Sequence, residues 1–447
     1  MDTNRFIEFL FARARAAGFA ACEAYIVDRE RFSVGVKRGE LTRYDVSDSL
    51  NLGFRGLLNG RIGCASTQVL DMDAAQMLVD AALEGARLCD AEDEEALFPG
   101  SPAYPEVDGA RPEIAKLGAS ERIELVRALE AAALEADPRI DSVSACGLST
   151  VSARTRLVNS HGLDLRFAQN LMSAHVYPIA KQGEKVATAG RGRFGASAAD
   201  LQIAQMARAA ALEAVDFLDA RSLPSGQYPV LLRADAASEL LGCFSSLFSA
   251  DAAQKGLSLL RGREGEGVAA PCVQIVDDAL LPGGWASRPF DDEGVASRRI
   301  EVVKDGALQT LMHNLRTARK QGVRSTASAA RRSCAGPMTV APTNFRILPG
   351  SDRPAALRAR AGRAILITEL SGLHAGANAV SGDFSLSARG YLIENGAIQR
   401  AVRQITVSGN FLTLLREIEA VGDDLDASLG SVAAPTLLIR GLALAGE

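Results

Sequence analysis

Residues 50–63 read Leu50-Asn51-Leu52-Gly53-Phe54-Arg55-Gly56-Leu57-Leu58-Asn59-Gly60-Arg61-Ile62-Gly63, and they decide what kind of sheet this chain builds. The wider segment 23–67 alternates with a period of two, which is typical of strands that have one buried face. Asn59-Gly60 lies between two such runs, and both residues tolerate the positive φ that a tight hairpin turn requires. The stretch therefore predicts an antiparallel hairpin.

The same signal recurs along the chain. Residues 302–309 and 391–398 predict hairpins that turn at Asp305-Gly306 and Asn395-Gly396. Residues 31–40 predict a strand that runs into a turn, and residues 159–163 predict a further turn around a glycine. Few long helices separate the C-terminal strands, so a mostly antiparallel arrangement is favoured over a doubly wound sheet.

Helices are predicted where apolar residues recur at helical spacing, namely over residues 4–18, 71–89, 119–136 and 198–217. The order helix, strands, helix thus occurs twice, which hints at an internal duplication, although residue identities do not repeat. The fold class predicted is α+β: a two-part N-terminal region of helices and antiparallel strands, followed by a strand-rich C-terminal domain. The predicted units are residues 1–90, 118–222 and 223–447.

An acidic, proline-rich linker is predicted between the first two units, over residues 91–117. The acidic run and the prolines are Asp90, Glu92, Asp93, Glu94, Glu95, Pro99, Pro102, Pro105 and Pro112. This composition favours a solvated connection that keeps the two units apart over an acidic binding tail.

Composition excludes several classes of function. The chain has 447 residues and a net charge of −5, and it has no Lys/Arg cluster that could follow a phosphate backbone, so we expect no nucleic-acid partner. It has no apolar run long enough for a membrane span, and its N-terminus does not resemble a signal peptide. Seven scattered cysteines without a CxxC pair favour neither a disulfide framework nor a zinc finger, and they predict a reducing, cytoplasmic location.

Several short segments, taken in order, resemble the TldD/PmbA family. They are residues 61–67, 159–163, 223–232, 275–280, 290–294, 314–320, 382–385 and 391–396. No single segment is diagnostic, but their order is fairly specific, and the resemblance covers essentially the whole chain. In this family the TldD-like branch carries a His-Glu-x-x-x-His zinc motif on a helix and a further Cys ligand near the C-terminus. The PmbA-like branch, also called TldE, lacks these ligands and pairs with TldD.

This chain resembles the PmbA/TldE branch. The helix that would carry the motif reads Glu239-Leu240-Leu241-Gly242-Cys243-Phe244-Ser245-Ser246-Leu247-Phe248, and its degenerate zinc positions are Gly242, Cys243 and Leu247. A zinc hydrolase needs three protein ligands, and neither Gly242 nor Leu247 can bind a metal. No cysteine follows Cys334, so the C-terminal ligand is missing as well.

The resemblance implies a non-catalytic subunit with no catalytic and no metal-binding residues of its own. It implies zinc in a TldD-like partner, paired as a heterodimer, with self-association into a homodimer as the other possibility. The substrate implied is an extended peptide, either an unfolded chain or a precursor such as that of a peptide antibiotic. Loop position and resemblance together predict a set of cleft-lining or substrate-facing residues: His313, Asn314, Arg319, His374, Ser381 and Asp383.

Two alternatives stay open at this stage. Cys243 could be the nucleophile of a hydrolase with a distant histidine as base, although its apolar neighbours favour an inert thiol. The chain could also form a homodimer that captures peptides without cleaving them. At most two of the three carboxylates of residues 291–293 could share one metal site, since adjacent positions of a strand face opposite sides. The resemblance implies a structural role for them near the interior cavity.

Overall fold

The N-terminal half builds one antiparallel sheet covered by helices on one face. The computed structural model describes residues 2–89 and 95–447. Its first elements are α1 (Thr3–Ala16), β1 (Ala21–Lys37), β2 (Glu40–Leu58), β3 (Arg61–Thr67) and α2 (Met72–Leu88). The hairpin predicted from residues 50–63 is confirmed: Leu58 pairs with Arg61, and Asn59 and Gly60 have φ of 51° and 76°.

The second group of elements extends the same sheet. It comprises α3 (Pro112–Lys116), α4 (Ala119–Glu135), β4 (Ile140–Asn159), β5 (Asp164–Gln182), β6 (Lys185–Thr188), β7 (Arg191–Phe194) and α5 (Ile203–Asp216). Because β1 pairs with β4, the strand order is β3-β2-β1-β4-β5-β6, and β7 also pairs with β5. The two groups of strands therefore share one sheet.

The segment between these groups packs against the protein where it is described. Leu97 is buried, the Tyr104 hydroxyl donates to the carbonyl oxygen of Gly294 at 2.8 Å, and Arg111 donates to that of Gly284 at 3.0 Å. Residues 95–117 thus combine exposed positions with specific contacts, and the role of residues 91–117 as a linker stays a prediction. Four acidic residues of the predicted run lie outside the described residues: Asp90, Glu92, Asp93 and Glu94.

The long strand β1 is buried on both faces near its two ends and is exposed at residues 29–31 between them. On one face the buried positions are apolar: Ala24 and Ile26 pack against α1 and α2, and Phe32 and Val34 pack against α4 and α5. The opposite face carries Glu23, which is also buried. Since successive side chains of a strand point to opposite faces, the helices cover one side and the C-terminal part must cover the other.

The C-terminal part is rich in short strands and short helices. Its elements are β8 (Gly226–Leu232), α6 (Ala234–Cys243), α7 (Ala250–Gln254), β9 (Ile275–Asp278), β10 (Arg299–Lys304), β11 (Ala307–Leu308), α8 (Leu315–Gln321), β12 (Ala329–Arg331), β13 (Met338–Val340), β14 (Phe345–Ile347), α9 (Pro354–Ala361), β15 (Ala364–Ser371), α10 (Leu373–Gly376), β16 (Asp383–Glu394), β17 (Ala397–Asn410), α11 (Phe411–Arg416), β18 (Ile418–Val421), β19 (Val432–Ala433) and β20 (Leu437–Ala445).

These strands form a barrel beside a mixed sheet. One sheet has the order β17-β16-β15-β8-β20-β18, and β17 also pairs with β20, which closes the ring. A second sheet has the order β11-β10-β9-β14-β19, and β12 pairs with β13. The predicted turns at Asp305-Gly306 and Asn395-Gly396 are confirmed, and so is the α+β fold class. Among the described helices, none has the length and apolar character that crossing a membrane requires.

A buried ion cluster joins the N-terminal sheet to the C-terminal part. Glu23 on β1 accepts hydrogen bonds from Arg55 on β2, at 3.3 Å, and from Arg331 on β12. The guanidinium of Arg331 lies 4.5 Å from the ring centre of Tyr25, whose hydroxyl donates to Asp292 at 3.1 Å. Removing one member of such a buried group leaves an uncompensated charge, which typically costs about 3–5 kcal/mol. The cluster therefore fixes the relative position of the two parts.

We predict that Gly63→Ala destabilises the N-terminal sheet, because a Cβ at Gly63 would overlap the carbonyl oxygen of Ala82 on α2. The expected loss is about 1–3 kcal/mol in the free energy of unfolding, measured by urea denaturation. Gly85→Ala is the matched control, since its Cβ would have no neighbour closer than 3.8 Å and alanine favours the helix. Equal stability of the two variants would contradict this packing.

Candidate functional site

A cleft of about 800 Å³ lies where the end of the N-terminal sheet meets the C-terminal part. One wall is formed by β5 and β7, and the others are formed by α6, β15 and the segment 429–432. Glycines at positions 190 and 192 line the first wall. The cleft thus brings together four parts of the chain that are distant in sequence.

Helix α6 presents one face to this cleft. Asp235, Ser238 and Glu239 line the cavity, and their spacing of three and four residues places them on one side of a helix. The expectation of one helix through residues 239–248 is wrong, because α6 ends at Cys243 and a 3₁₀ turn follows over Ser245–Phe248. Phe244 is fully buried, and the Ser245 hydroxyl donates to the Gly242 carbonyl at 2.8 Å, so the chain turns into the core here.

The degenerate zinc positions lie beside the segment that replaces the family's C-terminal ligand. A Cβ on Gly242 would lie 3.8 Å from Cγ1 of Val432, so helix and segment pack directly together. Leu247 points into the hydrophobic core. Within residues 2–89 and 95–447, no group of three or more His, Cys, Asp or Glu side chains is arranged to hold a metal ion. The two regions converge, but the side chains at their contact offer no zinc ligands.

Cys243 has the surroundings of an inert thiol. Its Sγ lies 3.9 Å from the carbonyl oxygen of Leu373, and burial raises the pKa of the thiol above its ordinary value. A cysteine nucleophile needs a neighbouring cation or base that lowers its pKa, and burial is the sole cause of the shift here. At neutral pH the group is therefore a protonated thiol.

Arginine-containing ion pairs flank the cleft. Arg233 donates two hydrogen bonds to Asp235, at 2.8 and 2.6 Å, and it also reaches Glu213 at 3.3 Å. Arg191 on β7 pairs with the buried Glu213 as well. These contacts connect the end of the N-terminal sheet to the start of α6, and they fix the position of the two walls of the cleft relative to each other.

Glu239 is the unusual carboxylate of the site. Its side chain is exposed within the cleft, yet the surrounding protein desolvates the carboxyl group, and nearby Asp235 and Glu369 disfavour a further negative charge. Together these effects raise the pKa of Glu239 to about 7, although Arg233 acts in the opposite direction. Glu239 is thus poised to change charge near neutral pH.

Two of the six residues expected to line a cleft are buried at the start of α8. Asn314 accepts a hydrogen bond from the Thr317 backbone at 2.9 Å, and the Thr317 hydroxyl accepts one from the Asn314 backbone at 3.1 Å, which caps the helix reciprocally. The carbonyl oxygen of His313 accepts from the Ser325 and Thr326 hydroxyls, and burial lowers the pKa of its imidazole. Neither residue lines the cleft.

The other four residues lie on or near the surface. Arg319 is exposed on α8. His374 lies on α10 and is exposed, while Ser381 and Asp383 lie just before and at the start of β16. The Asn410 amide donates to Asp383 at 2.9 Å, and this bond lowers the pKa of that carboxyl group. None of the four lines the 800 Å³ cleft, and their contact with a substrate stays a prediction.

The carboxylates of residues 291–293 hold backbone in place. Asp291 accepts hydrogen bonds from the backbone of Val295 and Ala329, at 2.9 and 3.0 Å. Glu293 accepts one from the Leu315 backbone at 2.8 Å, at the N-terminus of α8. All of these bonds are internal, which agrees with a structural role for this acidic motif.

Sequence reasoning missed the cleft residues that the fold assembles. Asp235 and Glu239 are four residues apart on one helix, which was a usable signal. His175 on β5 and Thr368 and Glu369 on β15 reach the same cavity only through tertiary structure. No local pattern in the sequence marks these three residues.

Family models and curated relatives both match this chain. Residues 22–86, 112–218 and 225–446 match domain 1, the central domain and the C-terminal domain of the PmbA/TldA metallopeptidase models. The metalloprotease PmbA of Escherichia coli O157:H7 is 28% identical over 420 residues, covering 92% of this chain and 90% of the relative. A metalloprotease TldD homolog of Haemophilus influenzae is 30% identical over 320 residues, covering 69% of this chain and 66% of the relative.

Solved structures share the fold over nearly the whole chain. A Thermotoga maritima protein named as a candidate modulator of a DNA gyrase superposes with a TM-score of 0.92 at 32% identity, covering 99% of this chain and 100% of the other. TldE from Thermococcus kodakarensis superposes with a TM-score of 0.90 at 19% identity, with the same coverage. The second likeness shows the fold alone.

We predict that Glu239→Gln stabilises the protein more at pH 8 than at pH 5.5. An unfolded glutamate has a pKa of about 4.3. In the folded protein the pKa of Glu239 is about 7. At pH values between the two pKa values, the folded state therefore holds a proton on Glu239 that the unfolded state has lost. As a result, the contribution of Glu239 to the free energy of unfolding falls as pH rises from about 4 to about 7. Thermal denaturation across pH measures the difference in Tm between variant and wild type.

Glu8→Gln, an exposed glutamate of α1 outside the cleft lining, is the control for loss of one negative charge. A Glu239→Gln difference in Tm that shrinks as pH rises would contradict the raised pKa.

Proposed function

Because this chain belongs to the PmbA/TldD metallopeptidase family, we propose that it is a non-catalytic, TldE-like subunit of a peptidase whose zinc is bound by a partner chain. One observation carries the proposal: helix α6 and the segment 429–432 meet in the cleft, but Gly242 and Val432 occupy their contact. A zinc hydrolase requires three protein ligands and an open position for water. The contact between Gly242 and Val432 shapes the cleft wall and offers no zinc ligand.

The role proposed for this chain is to form one wall of a substrate chamber. Strand β7 lines the cleft and, among the described strands, pairs only with β5. No described strand pairs with its other edge, and in the proposed role an extended peptide adds there as a further strand through backbone hydrogen bonds. Gly192 in the middle of β7 has no side chain to obstruct that approach. Recognition through backbone favours unfolded or precursor peptides, such as those of peptide antibiotics, over folded proteins.

The partner proposed is a TldD-like chain in a cytoplasmic heterodimer, and this chain binds no cofactor of its own. A second copy of this chain is the alternative partner. It would give a homodimer that binds peptides without cleaving them. A hydrolase based on Cys243 has less support, since burial keeps that thiol protonated.

We predict that the purified chain alone leaves an unstructured peptide intact and that cleavage begins when a TldD-like chain is added. Mass spectrometry of the products measures cleavage, and size-exclusion chromatography with light scattering measures the complex. Cys243→Ala in this chain is expected to keep the mixture within about twofold of full activity, because the thiol has no chemical role. Replacing the glutamate of the partner's zinc motif should abolish cleavage.

Cleavage by this chain alone, lost on Cys243→Ala, would establish the hydrolase alternative. Peptide binding by a dimer of this chain, with no cleavage when the TldD-like chain is present, would favour the homodimer.

A further inference from the structure

Glu239 stands apart among the charged residues that line the cleft. The others are in ion pairs: Arg191 with Glu213, Arg193 with Asp426 at 3.7 Å, Asp235 with Arg233 at 2.6 Å, and Glu369 with Arg389. Glu239 has no basic side chain of the described residues within ion-pairing distance. The cleft therefore carries one uncompensated carboxylate in a partly desolvated position.

A second polar group in the lining of the same cleft also lacks a partner. Thr368 is only 3% exposed, it lines the cleft, and its Oγ1 has no hydrogen-bond partner in the described structure. It is the bulged residue of β15, since the register with β16 shifts between Ile367 and Glu369. Bulges commonly re-aim a side chain next to a functional site. A buried hydroxyl without a partner is costly unless a bound molecule satisfies it.

The unpaired groups favour one kind of occupant. A lone carboxylate near two further carboxylates is satisfied by a cation, and a hydroxyl oxygen can accept a further hydrogen bond from the same cation. An ammonium group has three donors, so one such group can serve more than one acceptor. The cleft volume of about 800 Å³ leaves room for the chain that carries the ammonium.

We propose that Glu239 and Thr368 form a subsite for a positively charged amino group of a bound peptide, either its N-terminus or a lysine side chain. This inference rests on the proposed peptide-binding function and adds a charge preference to it. The subsite makes the chain select among peptides that the backbone contacts of β7 alone would bind equally. Glu239 acts as a specificity determinant and touches no reacting atom.

The charge state of the cleft sets how this preference depends on pH. Groups facing Glu239 from the surrounding elements are Asp235, Arg233, Glu369, His175, Arg191 and Arg193. Desolvation and Arg43 lower the pKa of His175, so it stays neutral above pH 7. The preference for a lysine peptide should thus strengthen between pH 6 and 8 as Glu239 loses its proton. A peptide bound by its N-terminus should lose the preference again above about pH 8, where the α-amino group deprotonates.

The test uses three seven-residue unstructured peptides and isothermal titration calorimetry with the full chain. The first peptide is acetylated and amidated with one central lysine, the second carries norleucine in its place, and the third keeps norleucine but has a free N-terminus. We expect wild type to bind the lysine or the free-amine peptide about tenfold more tightly than the neutral one at pH 8. Glu239→Gln should remove that preference and leave the affinity for the neutral peptide unchanged.

Glu8→Gln is the matched control, since it removes one carboxylate from α1, outside the cleft lining, and it should keep the preference. Equal affinity of wild type for all three peptides, or a preference that survives Glu239→Gln, would overturn the subsite while leaving peptide binding in place. Failure of every peptide to bind both the chain alone and its complex with a TldD-like chain whose zinc-motif glutamate is replaced would overturn the proposed function and the subsite with it.

Discussion

The first part of strand β1, residues 21–26, has to bury both of its faces, and the rest of the structure depends on that constraint. The apolar face of β1 packs against four helices, which fix the N-terminal sheet as a layer of its own. Its other face carries the buried carboxylate of Glu23, and within residues 2–89 and 95–447 its ion-pair partners are the guanidinium groups of Arg55 and Arg331. A charge in that position is tolerable only if its partners are held there, so the C-terminal part must dock in one orientation.

Docking in this orientation creates the cleft. The sheet that Glu23 anchors continues through β4 and β5 to the short strand β7, and β7 ends beside α6. Arg191 and Arg233 meet at Glu213, so the cleft is also closed by ion pairs at its edge. The cavity is therefore a consequence of how two layers pack, and its charge comes from residues on both sides of the junction. The proposed role as a chamber wall requires shape and charge, and it requires no metal of this chain's own.

The sequence predicted the local features because their causes are local. Asn59-Gly60 and Asn395-Gly396 turn the chain, since their backbone accepts positive φ, and the alternation of β1 shows directly in its residues. The end of helix α6 at Cys243 is not predicted by the local sequence, because it depends on where the side chain of Phe244 packs in the core. The pairing of β1 with β4 and the approach of Glu369 to Glu239 join residues more than one hundred positions apart, and no short-range pattern encodes them. Loop position predicts that His313 and Asn314 line a cleft, but this segment instead caps helix α8.

Zinc content of the chain purified alone tests the central claim most directly. The measurement is elemental analysis after exposure to zinc and removal of loosely held metal by a weak chelator. The account predicts far less than one zinc per chain, since neither α6 nor the segment 429–432 offers a set of ligands at their contact. One tightly held zinc per chain would mean that ligands converge elsewhere, and it would contradict the assignment as a non-catalytic subunit.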